Sequence, residues 1–311
     1  MKNTPHIGKI IFLICLQGLL LSMNCEGQYW IQKAGGITID EGIDIAVDGA
    51  GNTYATGYFT ATANFGAYNL TSSGVEDIYL VKLNSSGVYQ WAQKAGGSGS
   101  DRPTSIKTDA AGNSYITGFF YGTATFGGYM VTASGAQDVF IAKYDNTGLC
   151  LWAKSAGGSQ SDIGNGIAID NAGNVIVTGE FKGTASFGAT NLTSQNGSVD
   201  IFTTKLDGSG NFLWAKKGSG NLTDRGIDVA CDGGGNIYIT GQFSDTITFD
   251  ITHNNNMMNA VFVVKYNSSG TEQWFVRAGG GILNSASGIA VDNGGNPIVS
   301  GDFQGTMTIF T

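Results

Sequence analysis

Seven aspartates stand where chemistry could be done, and they fall into two evenly spaced series. Asp40, Asp101, Asp162 and Asp224 form one series, and Asp77, Asp138 and Asp200 form the other. Carboxylates brought into a ring could hold Ca²⁺, which takes about six to eight oxygen ligands, or a basic group on a ligand. They could equally cap loop N–H groups through Asx-type hydrogen bonds, which is a structural use. An acid in every copy of a repeat is what a structural device predicts, whereas a single site needs the copies to differ. Capping is the favoured reading. Calcium stays open as the one candidate cofactor, and direct contact with a ligand stays open beside it.

The spacing of these acids reflects a repeat that builds the whole chain. Trp30, Trp91, Trp152, Trp214 and Trp274 recur with a period of about 61 residues. The signature D-x-x-G-N recurs in step, at Asp48–Asn52, Asp109–Asn113, Asp170–Asn174, Asp232–Asn236 and Asp292–Asn296. Such regular repetition means one supersecondary unit stacked against its neighbours. Within the first copy the alternation of apolar residues predicts strands over 43–47, 54–59, 78–83 and 88–95. Asp48-Gly49-Ala50-Gly51-Asn52 reads as a tight hairpin, with Gly and Asn suiting positive φ. Gly57, Gly118, Gly179, Gly241 and Gly301 sit inside the second strands, which implies that another backbone comes close there.

A four-stranded antiparallel unit that is apolar on both faces can bury itself only between copies of itself. Radial stacking gives an all-β fold, a β-propeller of about five units and possibly an incomplete ring. A β-solenoid is the alternative, but its repeats are usually much shorter. The expected organisation is a signal peptide at 1–27 and a propeller domain at 28–311. The domain opens with a fourth strand at 28–36, followed by blades at 37–97, 98–158, 159–220 and 221–280. A partial blade at 281–311 ends it.

The run I-A-V-D-x-x-G-N-x-Y-x-T-G-x-F, with the T-A-x-F-G segment and the D-x-F-x-x-K strand after it, resembles the bacterial β-propeller repeat called SBBP. The resemblance covers nearly all of residues 28–311. It implies a secreted or cell-surface protein of Gram-negative bacteria, and no established catalytic residues. Two departures are Ala260 and Asn284, which stand where the other copies have Asp.

Compartment and composition agree with that expectation. Lys2 and Lys9 precede an apolar run from Ile10 to Met23, shorter than the roughly 20 residues a transmembrane helix needs. Cleavage after Gly27 would free Gln28, and a lipoprotein anchor at Cys25 is the competing reading. The chain carries 49 Gly and a net charge of −8. The acidic balance disfavours nucleic acid or an anionic membrane as partner. The expected partner is an extracellular protein or glycan, with further blades of the same polypeptide also possible. The long links, such as 60–76 and 96–103, emerge on one face, and that face is the default recognition surface.

Catalytic groups are scarce. His253, in the polar run HNNNMMN, reads as a solvated loop residue rather than a general base. Cys150 and Cys231 lie at different places in different repeats, which argues against a disulfide. A propeller glycoside hydrolase would need carboxylic acids in a distinctive setting. Yet Glu41, Glu76, Glu180 and Glu272 fall at unrelated repeat positions. The expectation is a non-enzymatic scaffold for adhesion or ligand binding. A carbohydrate-active enzyme and a structural surface-layer component are the alternatives. A last expectation concerns the fifth unit: strands one and two alone leave an open edge, as in an unclosed part of a larger ring.

Overall fold

The computed structural model describes residues 30–254, 259–279, 284–304 and 308–310. The expected signal peptide, its cleavage point and Cys25 lie outside the described residues. Four units each hold an antiparallel four-stranded sheet in sequence order. In the first these strands are Asp40–Val47, Thr53–Phe59, Asp77–Leu83 and Tyr89–Gly97. The second unit runs from Arg102–Thr108 to Cys150–Gly158, the third from Ile163–Ile169 to Phe212–Gly218, and the fourth from Arg225–Cys231 to Glu272–Gly279. The fifth comprises Asn284–Val291 paired with Pro297–Phe303. The fold is a β-propeller of four-stranded blades.

Local chemistry explains each hairpin between strands one and two. Asp48 Oδ1 accepts from Ala50 N and Asn52 N, both at 2.9 Å, and Asn52 Nδ2 donates to Asp48 Oδ2 at 2.8 Å. Gly51 takes φ +78°, which an L side chain resists. The same bonds recur at Asp109, Asp170, Asp232 and Asp292.

The sheets bury their faces on one another. Tyr54, Leu80 and Trp91 of the first unit share a core with Ile106, Phe120 and Phe140 of the second. Tyr115, Ile141 and Trp152 of the second share one with Ile167, Val177 and Phe202 of the third. The repeated Trp and the repeated Lys of strand three also latch one blade to the next. Trp91 Nε1 and Lys82 Nζ both donate to Asn146 O at 3.1 Å, and Trp152 Nε1 donates to Gly208 O at 3.1 Å. First strands of successive units contact one another, so they line the inside of the array. There Asp44 accepts from Ile106 N at 2.9 Å, and Asp228 accepts from Ile289 N at 2.9 Å. Burial raises the pKa of Asp228, and the charge of Asp44, from the first unit, raises it further.

One expectation is corrected. The 60–76 link is not an open recognition loop, because T-A-x-F-G folds as a hairpin of Thr62–Phe65 and Tyr68–Thr71. Its first strand alternates exposed and buried residues and pairs with the preceding fourth strand, Ala34 opposite Phe65 and Gly35 opposite Asn64. Ala95 opposite Phe126 and Gly158 opposite Ala185 repeat the arrangement. Each such hairpin joins one blade to the previous one, and its apolar residues, such as Phe65 and Phe126, fill the core.

Candidate functional site

The two aspartate series meet at the blade junctions. Asp101 Oδ2 accepts from Gly97 N at 2.7 Å and Oδ1 from Tyr121 N at 3.0 Å, tying the previous fourth strand to its own second strand. Asp162 does the same with Gly158 N at 2.7 Å and Lys182 N at 3.1 Å. Asp224 accepts from Ser244 N, and Asp40 from Gly36 N. In the other series Asp77, Asp138 and Asp200 accept from Ser73 N, Ser134 N and Gln195 N at 2.8–2.9 Å. All but Asp40 are buried. Their carboxylates meet backbone donors, Ser198 Oγ also donates to Asp200 at 2.7 Å and Lys94 Nζ lies 3.4 Å from Asp77, and the six are buried.

The series pair up across each junction. Asp138 Oδ1 and Asp162 Oδ2 lie 2.7 and 2.8 Å from the point a Gly157 Cβ would occupy. Asp77 Oδ1 and Asp101 Oδ2 flank Gly96 in the same way, at 2.8 and 2.9 Å. Asp77 Oδ1 and Asp138 Oδ1 are buried without a hydrogen-bond partner. Burial, with the neighbouring acid adding to it, pushes Asp101 up to about 6, Asp162 to about 7 and Asp224 to about 8. Two carboxylates already met by N–H donors fall short of the six to eight oxygens, roughly, that Ca²⁺ takes. Burial, with the neighbouring carboxylate behind it, favours the protonated form of Asp101 and Asp162.

Where the repeats differ is a second ring, one step along the same strands. At one register, strand one faces strand two with Glu41 opposite Tyr58, Arg102 opposite Phe119, Ile163 opposite Glu180, Arg225 opposite Gln242 and Ser285 opposite Asp302. Five units give five unlike pairs, beside an aspartate that four of the five units carry. Neighbouring pairs touch. The Arg102 guanidinium lies 4.2 Å over the Tyr58 ring, and Arg225 Nε is 2.6 Å from Glu180 Oε2.

On the second blade, beside the first, this ring opens into a cleft of about 470 Å³, lined by Gly99, Ser100, Arg102, Phe119, Tyr121 and Gln137. Arg102 Nε and Nη2 each reach a Glu76 carboxylate oxygen at 2.6 Å. That bond holds the Glu76 carboxyl below its ordinary range. Tyr58 donates to Glu41 and Ser100 to Glu76. Gln137 Nε2 donates to Ser161 Oγ at 2.7 Å. Tyr121 is 39% exposed and packs edge-on to Phe119 at 6.2 Å. Sequence reasoning passed over these residues because no motif contains them. Aligning the repeats and asking which columns vary would have found them.

His253 also differs from its expected solvated-loop placement. It lies in the strand Thr252–Asn254, stacked at 4.0 Å on Phe275, with Nε2 2.6 Å from Glu272 Oε1. Glu272 in turn accepts from Ile251 N at 2.9 Å. The pair replaces, in the fourth unit, the aromatic or Cys that the other units put under the hairpin. Cys150 and Cys231 are both free thiols.

These features define a β-propeller-like repeat protein. No protein-family profile matches the chain. It is 28% identical over 358 aligned residues to an uncharacterised WD repeat-containing protein of Acanthamoeba polyphaga mimivirus, an alignment taking in 90% of this chain and 26% of that one. It is 26% identical over 111 residues to the regulatory protein FlaEY of Caulobacter vibrioides, across 35% of this chain and 12% of that one. The chain thus spans about a quarter or less of the length of these relatives. A crystal structure of a Bacteroides caccae protein of unknown function aligns over 76% of the chain with a TM-score of 0.36 and 10% identity. Among the described residues no helix is long and apolar enough to cross a membrane.

Proposed function

We propose that the chain is a secreted or cell-surface, non-enzymatic propeller of the SBBP kind that binds a glycan at the cleft beside Arg102. The observation that carries this is the split between what repeats and what varies. Acids, glycines and tryptophans that recur in the units are consumed by capping and packing. The Glu41–Tyr58, Arg102–Phe119 and Glu180–Arg225 positions vary, at one register, on a rigid frame. Recognition is placed on such positions when a scaffold holds them still.

The chemistry of the cleft suits a sugar. Tyr121 and Phe119 offer ring surface to the apolar face of a pyranose, Arg102 and Gln137 have N–H groups beyond those bound to Glu76 and Ser161, and the Ser100 hydroxyl oxygen offers an acceptor. A hydrolase would want a carboxylic acid held protonated near neutral pH. The acids that burial raises toward neutrality, Asp101, Asp162 and Asp224, are fully buried, and Glu76 beside the cleft is pinned as a carboxylate by Arg102, which supports binding without turnover.

A glycan array followed by calorimetry on the best hit tests the reading. Wild type should bind, Tyr121→Ala should weaken binding by about tenfold, and Arg102→Ala by at least as much. Released sugar from any bound glycan would replace the scaffold with an enzyme. No glycan bound, or binding indifferent to both substitutions, would remove the cleft from consideration.

A further inference from the structure

At one position of strand two, the first, second and fourth units carry Tyr54, Tyr115 and Tyr238, and the third carries Ile176. Each of the three hydroxyls donates to the hairpin aspartate of its own unit, Asp48 at 3.2 Å, Asp109 at 3.0 Å and Asp232 at 3.0 Å. Tyr54 and Tyr238 also donate to the hairpin glycine of the following unit, at Gly112 O and Gly295 O. Each ring packs edge-on to the Trp of its unit, with centroids 6.0–6.3 Å apart. The strand-three Lys of the same unit lies over that ring, 4.9–5.2 Å from its centroid.

Ile176 supplies neither ring nor hydroxyl, and the groups around it are arranged differently. Lys205 Nζ closes on Asp170 Oδ2 at 2.9 Å, with both side chains buried, and donates to Ser268 O at 3.1 Å. Trp214 Nε1 is buried without a hydrogen-bond partner, whereas Trp91 and Trp152 donate to a carbonyl of the following blade. A buried donor left unpaired is costly. The same junction, between the third and fourth blades, holds a cleft of about 420 Å³ whose lining includes Asp170, Lys205, Trp214, Gly235 and Ser268. It lies at the hairpin end of the blades, whereas Arg102 stands at the other end of strand one.

We propose that this cleft is a binding slot for a phenol, whose ring takes the place of the missing tyrosine ring against Trp214 and Lys205 and whose hydroxyl donates to Asp170. Each group left here is one half of a contact whose other half a tyrosine supplies elsewhere. The indole edge and the ammonium favour an aromatic ring, and the carboxylate favours a hydroxyl donor. Occupancy restores the arrangement of the first two blades. There the Lys lies over a ring, and Lys and Trp share one carbonyl, Asn146 O for Lys82 and Trp91 and Gly208 O for Lys143 and Trp152. Ser268 O is the corresponding carbonyl for Lys205 and Trp214.

The test is calorimetric titration of small aromatic compounds onto the purified full chain. The wild type should bind 4-methylphenol, which copies a tyrosine side chain. It should bind 4-methylanisole, which keeps the ring and lacks the hydroxyl donor, about tenfold or more weakly. Ile176→Tyr installs the residue that the other three units carry, so the variant should melt no lower than wild type and lose 4-methylphenol binding. N-acetyltyrosinamide bound as tightly as 4-methylphenol would assign the slot to a tyrosyl side chain, and its exclusion would assign a free phenol; both uphold the phenol. Failure of the wild type to bind 4-methylphenol, or equal binding of the phenol and the anisole, would overturn the proposal. So would 4-methylphenol binding unchanged in Ile176→Tyr, which would place the phenol elsewhere on the chain.

Discussion

Gly179→Ala is expected to unfold the third blade, where Gly49→Ala should be silent. A Cβ at residue 179 would sit 2.0 Å from the Ile163 carbonyl oxygen and 2.8 Å from the Phe202 ring. The first neighbour is backbone in the paired strand, so a side-chain rotation cannot relieve the clash. Strands one and two must part, or the ring must leave a core in which it is fully buried. Overpacking of this kind against backbone belongs with the large single-substitution losses, about 4 kcal/mol or more. Gly49 has no atom within 4 Å of its Cβ position and lies in a hairpin, so its substitution should stay within about 0.5 kcal/mol. Urea melts of both variants check this; a Gly179→Ala protein as stable as wild type would mean the blade is not packed as described.

The carboxyl pairs predict the next largest effect, and its sign is opposite to that of most acids. Asp101, Asp162 and Asp224 are raised to about 6, 7 and 8 from an ordinary value of 3.8. A raised folded-state pKa means the folded protein holds protons that the unfolded chain has lost. That stabilisation is complete below about pH 4 and is lost as pH rises to the folded values of about 6, 7 and 8, so the melting temperature should fall between about pH 4 and pH 8. Each group contributes up to about 1.4 kcal/mol per pH unit within its window.

Asp138→Asn separates this from simple capping. Its amide oxygen would keep the Ser134 N–H bond, while the amide nitrogen, in place of the unpartnered Oδ1, would donate toward Asp162. The Asn protein should therefore be more stable than wild type at pH 8 and show a flatter pH profile. Asp138→Ala, which leaves Ser134 N uncapped, should cost about 0.5–2 kcal/mol at every pH. Indistinguishable Asn and Ala variants would rule out a shared proton.

Much of the blade could be read directly from the chain. The D-x-x-G-N turns, the alternating strands and the in-strand glycines each state a local rule that the fold obeys. The T-A-x-F-G hairpin escaped because its strands are four residues long, too short for alternation to stand out from a loop. The burial of Asp101 or Asp162 was equally hidden. An acid at the end of a link looks solvent-facing until the neighbouring blade closes over it. Tyr58, Arg102 and Phe119 were invisible for the reverse reason: a site made of the positions that change carries no motif. His253 was misplaced because Glu272, its partner, comes from a different strand 19 residues away.

The repeated aspartates act as internal caps, with Asp101, Asp162 and Asp224 raised toward neutrality by burial, while the side chains of the varying ring differ from blade to blade. The most direct test is the melting temperature of the purified chain at pH 6 and pH 8, each with EDTA and with excess calcium. The expected result is a lower melting temperature at pH 8 and no response to either addition. A sharp drop in EDTA that calcium restores would contradict it, and would make the aspartate pairs metal ligands after all.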